Sequence, residues 1–166
     1  DRYMVGHGTA PRINYGLSLG AAWNGFDLSI LLQGVAGIKV HWLDNHYSPQ
    51  VNYGRYINKD IAEGRWYEGR TDATYPRLLE YQDQRNKQMS DFYLENLAYL
   101  KIRNIQLGYT LPAKLTKKIS LERLRFYGSL ENFFTFTSFR GFDPEIGGSI
   151  DYPAMKNVVF GINLSF

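Results

Sequence analysis

The sequence predicts an all-β fold, and within that class the strands of an antiparallel transmembrane β-barrel, on three observations. In the last eleven residues, Val158, Phe160, Ile162, Leu164 and Phe166 alternate with Asn157, Gly161, Asn163 and Ser165, and Val159 alone is out of place. Near the start, Ile13, Tyr15, Leu17, Leu19, Ala21 and Trp23 alternate with Asn14, Gly16, Ser18, Gly20 and Ala22. Successive side chains of a strand point to opposite faces, so each stretch has one apolar side and one small or polar side. Each is also as long as the roughly 9–11 residues with which a tilted strand crosses a bilayer. The third observation is that the connections between such stretches are short and long in turn, the rhythm of barrels with turns on one side of a membrane and loops on the other.

The strands follow in order. The first covers 13–23, and Asn24-Gly25 behind it supplies the positive φ angles of a two-residue type I′ hairpin. The chain returns through a second strand, 26–37, with Phe26, Leu28, Ile30 and Leu32 opposed to Asp27, Ser29 and Gln33; Leu31 is an exception, and the pattern fades from Gly34 to Gly37. From His41 to Ala98 no periodicity lasts, although a short helix near 58–64 and a capped turn at Ser90-Asp91-Phe92-Tyr93 are expected. A connection of that length counts against a compact soluble domain and suits the outer side of a barrel.

The third strand, 99–111, slips phase: Leu100 and Ile102 are even, whereas Ile105, Leu107 and Tyr109 are odd. A β-bulge near Arg103-Asn104 places both sets on one face, and Pro112, which has no N–H for a ladder, ends the strand. Leu115 and Ile119, four apart, predict one amphipathic helical turn. In the fourth strand, 124–136, Leu124, Phe126, Leu130, Phe134 and Phe136 share a parity that Asn132 interrupts. A second long connection, 138–154, leads to the fifth strand, 156–166. The odd residues of 13–23 and the even residues of 26–32, 124–136 and 156–166 are expected to face lipid. Five strands cannot close a barrel, whose minimum is about eight, so the chain is expected to be a piece of a larger one.

Composition excludes other classes. The chain has 166 residues, 44% hydrophobic and 21% charged, which is not the composition of a disordered tail. No stretch approaches the run of about 18 apolar residues that a membrane helix requires. Cysteine is absent, which excludes disulfides and thiolate metal sites. Acids and bases are interspersed around a net charge of +3, with one basic cluster of Lys114, Lys117, Lys118, Arg123 and Arg125, and nucleic acid is not an expected partner. No basic leader and apolar stretch open the chain, as expected if a signal was removed or the chain is an internal piece.

Candidate sites are few. His41 and His46 have neither metal-ligand spacing nor a fixed acidic partner, so no metal or cofactor is expected. Asp143 and Glu145 resemble a glycosidase pair in composition alone, since such pairs flank a cleft from separate scaffold positions; their simpler reading is a loop-ordering or partner-contacting motif. Trp42, Tyr47, Tyr53, Trp66 and Tyr67 can stack on a ligand, pack the loops or form an interfacial girdle. No nucleophile–base constellation predicts an enzyme.

Several runs carry a family resemblance. Pro11-Arg12-Ile13-Asn14-Tyr15-Gly16, Asn24-Gly25-Phe26-Asp27-Leu28-Ser29, Gln33-Gly34 and Ser90-Asp91-Phe92-Tyr93-Leu94 resemble the end of a SusC/RagA-type TonB-dependent transporter. So do Tyr99-Leu100-Lys101-Ile102-Arg103-Asn104, Leu107-Gly108-Tyr109-Thr110-Leu111-Pro112, Glu131-Asn132-Phe133-Phe134-Thr135, Gly141-Phe142-Asp143-Pro144-Glu145 and Phe160-Gly161-Ile162-Asn163-Leu164-Ser165-Phe166. The resemblance implies the C-terminal strands of a barrel of about 22 strands with a plug that is absent from this chain. It also implies uptake of a glycan or peptide across the bacterial outer membrane, a SusD-like surface lipoprotein partner and a TonB energy-transducing complex acting through the absent N-terminal part. The C-terminus is then expected on the periplasmic side, with Val158, Phe160, Ile162, Leu164 and Phe166 guiding barrel assembly against outer-membrane lipid. Two other readings stand beside it: a soluble carbohydrate-binding or hydrolysing β-domain, and a small structural outer-membrane barrel.

Overall fold

In a computed structural model, which describes residues 10–41, 57, 59–79, 90–147 and 151–166, five strands form one antiparallel sheet in the order β1-β2-β5-β6-β7. They are β1 (Ile13–Trp23), β2 (Phe26–Ala36), β5 (Tyr99–Thr110), β6 (Arg123–Thr137) and β7 (Asn157–Ser165). Between β2 and β5 lie β3 (Lys39–His41), α1 (Lys59–Gly64) and β4 (Leu94–Asn96), and α2 (Ala113–Thr116) lies between β5 and β6. The sheet is open, with β1 and β7 at its edges.

Register explains why one face is apolar throughout. Directly opposed residues share a face, and the pairs Leu19↔Ile30, Ile30↔Ile105, Ile105↔Leu130 and Leu130↔Val158 carry a single apolar row across all five strands. A second row, Phe26↔Tyr109↔Phe126↔Ile162, lies nearer the hairpin, and Trp23 opposes Phe26 where the hairpin closes. These side chains are exposed or half-buried, Trp23 being 78% and Ile162 58% exposed. From Tyr15 to Trp23 the outward aromatics of β1 are eight residues apart, about 27 Å along a strand at about 3.4 Å per residue. At a tilt of about 40° that spans ~21 Å, most of the ~25 Å apolar band of an outer-membrane barrel.

Asn24 and Gly25 take φ of 48° and 87°, the type I′ geometry that the pair predicts. The phase slip in β5 is a bulge: Leu31 opposes Asn104 and Leu32 opposes Ile102, which leaves Arg103 as the extra residue against β2. On β6 the neighbouring irregularity falls at Asn132, whose φ of 56° is left-handed. That backbone turns its amide away from the apolar face, and Oδ1 accepts a hydrogen bond from Arg103 at 3.2 Å while Nδ2 donates to the Met155 carbonyl at 3.2 Å. The apparent interruption of the apolar face is therefore a satisfied polar junction.

Glycines let large side chains lie flat on the sheet. Tyr15 covers Gly34 opposite it and donates from its hydroxyl to the Tyr99 carbonyl at 2.8 Å, reaching across β2 to β5. On the other face Tyr127 covers Gly161 opposite it, where a Cβ would collide with the ring.

Two expectations need correction. The stretch from His41 to Ala98 was expected to hold no lasting period, yet β4 lies within it and pairs with β3 at its start, prolonging the β2–β5 ladder beyond the sheet, with Leu97 N–H donating to the Ile38 carbonyl at 3.1 Å. Three-residue strands of mixed polarity are too short to show a period. At the base of this ribbon Leu97 and Phe139 are buried together against Ile38 and Val40, so the feet of both long loops share one apolar cluster. The helical turn expected from Leu115 and Ile119 exists at 113–116, with Leu115 51% exposed and Thr116 buried; the Ile119 side chain lies outside the described residues. The Pro112 carbonyl accepts from the Leu115 N–H at 2.9 Å; after one turn the chain tightens to a 3₁₀ turn at Lys117–Ile119 and leaves the helix at Ser120, φ 55°. Ser90 precedes a 3₁₀ turn, Asp91–Tyr93, without a side-chain cap.

Candidate functional site

The polar face carries a cluster of charges at the loop end of the sheet. Strand alternation puts Tyr99 and Lys101 on that face, and the bulge adds Arg103, so three donors spaced two apart converge on one loop. The loop brings Asp143-Pro144-Glu145 to meet them in a turn, where Ile146 N–H donates to the Asp143 carbonyl at 3.3 Å and Gly147 takes a φ of 65°. Lys101 Nζ contacts Glu145 Oε2 at 2.6 Å and both Asp143 carboxylate oxygens at 3.2 Å, and is 1% exposed. Arg103 forms a two-pronged contact with Glu145, with Nη1 at 3.0 Å from Oε2 and Nη2 on Oε1, while its Nε donates to Gln33 at 2.9 Å. The Tyr99 hydroxyl donates to Glu145 Oε1 at 2.8 Å. Asp143 also accepts the backbone N–H of Glu145 at 3.1 Å and of Ala154 at 3.4 Å.

Two cations thus meet two carboxylates, and the buried charge is balanced. A charge of this depth is tolerated when its partners are in place and is costly when one is removed. Chemically the cluster is a latch holding the 138–147 loop against the wall; its acids are saturated by internal donors and stand close together on one turn, without the separation that acid–base glycoside hydrolysis requires. Beside it a cleft of about 460 Å³ is lined by Lys101, Phe133, Phe136, Phe142, Asp143 and Lys156.

Burial pushes the Glu145 carboxyl up, but hydrogen bonds from Lys101, Arg103 and Tyr99 outweigh it and hold the group below its usual 4.5. A value depressed by folding means that the anchoring is complete above about pH 4.5 and is lost as pH falls through the lower value. Hydrogen exchange at the Glu145–Gly147 amides, corrected for intrinsic rate, should stay flat from neutral pH to about 4.5 and accelerate below it. Acceleration already near pH 6 would show that Glu145 is not the anchor.

At the hairpin end of the same face, Arg125 Nε donates to Asp27 Oδ1 at 2.9 Å and its guanidinium lies 5.1 Å from the Tyr127 ring centre. Gly108 lies beneath this pair, where a Cβ would strike the guanidinium and the carboxylate.

Among the expected ligand-contacting residues, Asp143 and Glu145 come together in the latch, and Trp66 and Tyr67 are exposed on the segment after α1. That segment folds on itself: the Trp66 N–H donates to the Tyr75 carbonyl at 2.9 Å, and the N–H groups of Thr74 and Tyr75 donate to the Gly64 carbonyl at 3.0 Å. The Arg70 guanidinium lies 5.7 Å from the Tyr67 ring centre. A cavity of about 520 Å³ opens there, lined by Asp60, Glu63, Arg70, Tyr75, Phe92 and Arg140 among others; Arg140 is held by Glu95 and donates to the Tyr75 hydroxyl at 2.6 Å. Trp42, Tyr47, Tyr53 and His46 lie outside the described residues. His41 packs edge-on against Tyr93, ring centres 5.8 Å apart, and burial lowers its pKa. Among the described residues no group of three or more His, Asp or Glu side chains could hold a metal ion. The latch partners Tyr99, Lys101 and Arg103 escaped the sequence reading, although their shared face and the two loop acids were visible in it.

No family model matches the chain. Over its whole length it is 28% identical to "TonB-dependent receptor P39" of Formosa agariphila, of which it spans 17%. Over 47% of the chain it is 32% identical to "TonB-dependent receptor SusC" of Bacteroides thetaiotaomicron, covering 8% of that protein. Among solved structures, "Structure of the RagAB peptide importer in the 'closed-closed' state" matches 98% of the chain at 30% identity and a TM-score of 0.79, over 18% of that structure's chain. The 'open-open' state of the same importer matches with a TM-score of 0.77. The open sheet is accordingly a segment of such a barrel wall.

Proposed function

We propose, for a chain that is of the SusC/RagA type of TonB-dependent transporter, that it forms one sector of the barrel wall through which a nutrient is imported across the bacterial outer membrane. The observation that carries this reading is the two-faced sheet, apolar in every outward row and polar inward, which suits a wall between lipid and a hydrated lumen. The short connections, Asn24-Gly25 and 112–122, then lie in the periplasm together with the end of β7, and the long ones lie outside. The edge of β7 that does not pair with β6 takes the closing strand, with Val158, Phe160, Ile162 and Leu164 in the outward row and Phe166 beyond it. A SusD-like lipoprotein covers the loop end, and a TonB complex supplies the energy through a plug outside this chain.

Between the two substrate classes, peptide fits better than glycan. The loop-end cavity sets Asp60 and Glu63 beside Arg70 and Arg140 with the rings of Tyr75 and Phe92. Such a lining matches the paired charges and apolar side chains of a peptide, whereas a neutral sugar calls for flat rings and uncharged donors. Cells producing the whole transporter should accumulate a fluorescent oligopeptide, and should stop when the proton gradient is collapsed. Accumulation of a fluorescent oligosaccharide instead would reverse the substrate assignment, and uptake that survives loss of the gradient would refute TonB-dependent import.

A further inference from the structure

We infer that the short-turn rim of the sheet is a binding surface for the anionic headgroups of phospholipids in the leaflet it borders. The inference rests on the membrane-barrel reading above. The apolar face ends at this rim in Trp23, Phe26, Tyr109 and Phe126, of which Trp23 and Tyr109 have the amphipathic rings that sit at headgroup level. Directly beyond, the connection from Pro112 to Glu122 carries Lys114, Lys117 and Lys118, all exposed, and Arg123 follows; Glu122 is the one carboxylate among them.

The cations of the wall interior are spent on carboxylates: Lys101 on Asp143 and Glu145, Arg103 on Glu145 and Arg125 on Asp27. No ion pair involves the three rim lysines among the described residues. With them stands Leu115, 51% exposed on a one-turn helix that buries Thr116 instead. Leu115 is flanked in sequence by Lys114 and Lys117, an exposed apolar side chain among cationic ones. At a headgroup boundary the side chain enters the acyl region while the ammonium groups meet phosphodiesters. Charge complementarity and continuity with the lipid-facing surface therefore name the occupant, an anionic phospholipid.

Purified whole transporter, exchanged into mixed micelles holding equal phosphatidylglycerol and phosphatidylcholine, can be assayed for the lipid it retains by native mass spectrometry. Retention should favour phosphatidylglycerol by about tenfold or more at low salt, fall as salt rises, and approach parity in a K114Q/K117Q/K118Q variant. Lys59→Gln, a change on the loop-end segment, should leave the preference intact. Leu115→Ser should reduce retention of both lipids at this rim without changing their ratio. Equal retention of the two lipids by the parent protein overturns the inference and leaves the barrel standing, as does a full preference in the triple-lysine variant. A parent protein that retains no phospholipid of either kind overturns the inference as well, and heat-modifiable mobility of the same sample tests the barrel reading separately.

Discussion

Replacing Lys101 by Met should release the 138–147 loop from the wall and destabilise its anchored state by about 3–5 kcal/mol, the cost typical of stranding a buried carboxylate by removing its partner. Lys101 is almost wholly buried and touches both acids, so water cannot replace it without opening the cluster. Arg103 retains Glu145, and the stranded group is therefore chiefly Asp143. A second change, Asp143→Asn, should recover much of the loss when combined with Lys101→Met, because the amide oxygen still accepts the Glu145 N–H without the charge and only the longer contact from the Ala154 N–H, made to the other carboxylate oxygen, is given up. Limited proteolysis of the loop in the folded transporter reads both effects. Unchanged protection in the single variant, or no recovery in the double, would show that the ion pairs do not carry the anchoring.

The second large effect concerns the outward face. Leu130→Arg, at the centre of β6 and in the row that runs from Leu19 to Val158, should lower the folded yield by the equivalent of about 2–4 kcal/mol, the cost of a basic residue near the bilayer midplane. Gln106→Arg, on the polar face of β5 between Ser29 and Ser129, should cost far less, since an inward charge meets water. Ile162→Asp, nearer the hairpin end, should fall between them, because acids cost less than bases and the penalty declines toward the interface. Heat-modifiable mobility on a gel measures the folded fraction. Equal yields for the changes at Leu130 and Gln106 would mean that the two faces are not lipid and lumen.

What was legible in the sequence was what local rules determine. Asn24-Gly25 allows few conformations other than the hairpin it makes, and the parity change between Ile102 and Ile105 requires a bulge if both are to stay on one face. The latch was not legible, because its bonds join residues 42 to 46 positions apart and depend on a loop whose path no periodicity records. Asn132 misled for a related reason: parity assumes a regular backbone, and its φ of 56° breaks that assumption at one residue. A single helical turn carries too little period to say which of its sides is buried, and at 113–116 that residue is Thr116 while Leu115 is exposed.

The rings that lie over glycines bear on how the sheet finds its pairing. Alternation excludes a slip of one residue, which would exchange the two faces, but it is blind to a slip of two, which keeps every apolar side chain outward. A two-residue slip would set Tyr15 against Leu32 or Ala36 in place of Gly34, and Tyr127 against Val159 or Asn163 in place of Gly161. Each ring would then have to stand up from the sheet, and the Tyr15 hydroxyl would lose the Tyr99 carbonyl. One ring–glycine pair on each face thus acts as a key that fits a single notch, and removes a degeneracy that binary patterning leaves open.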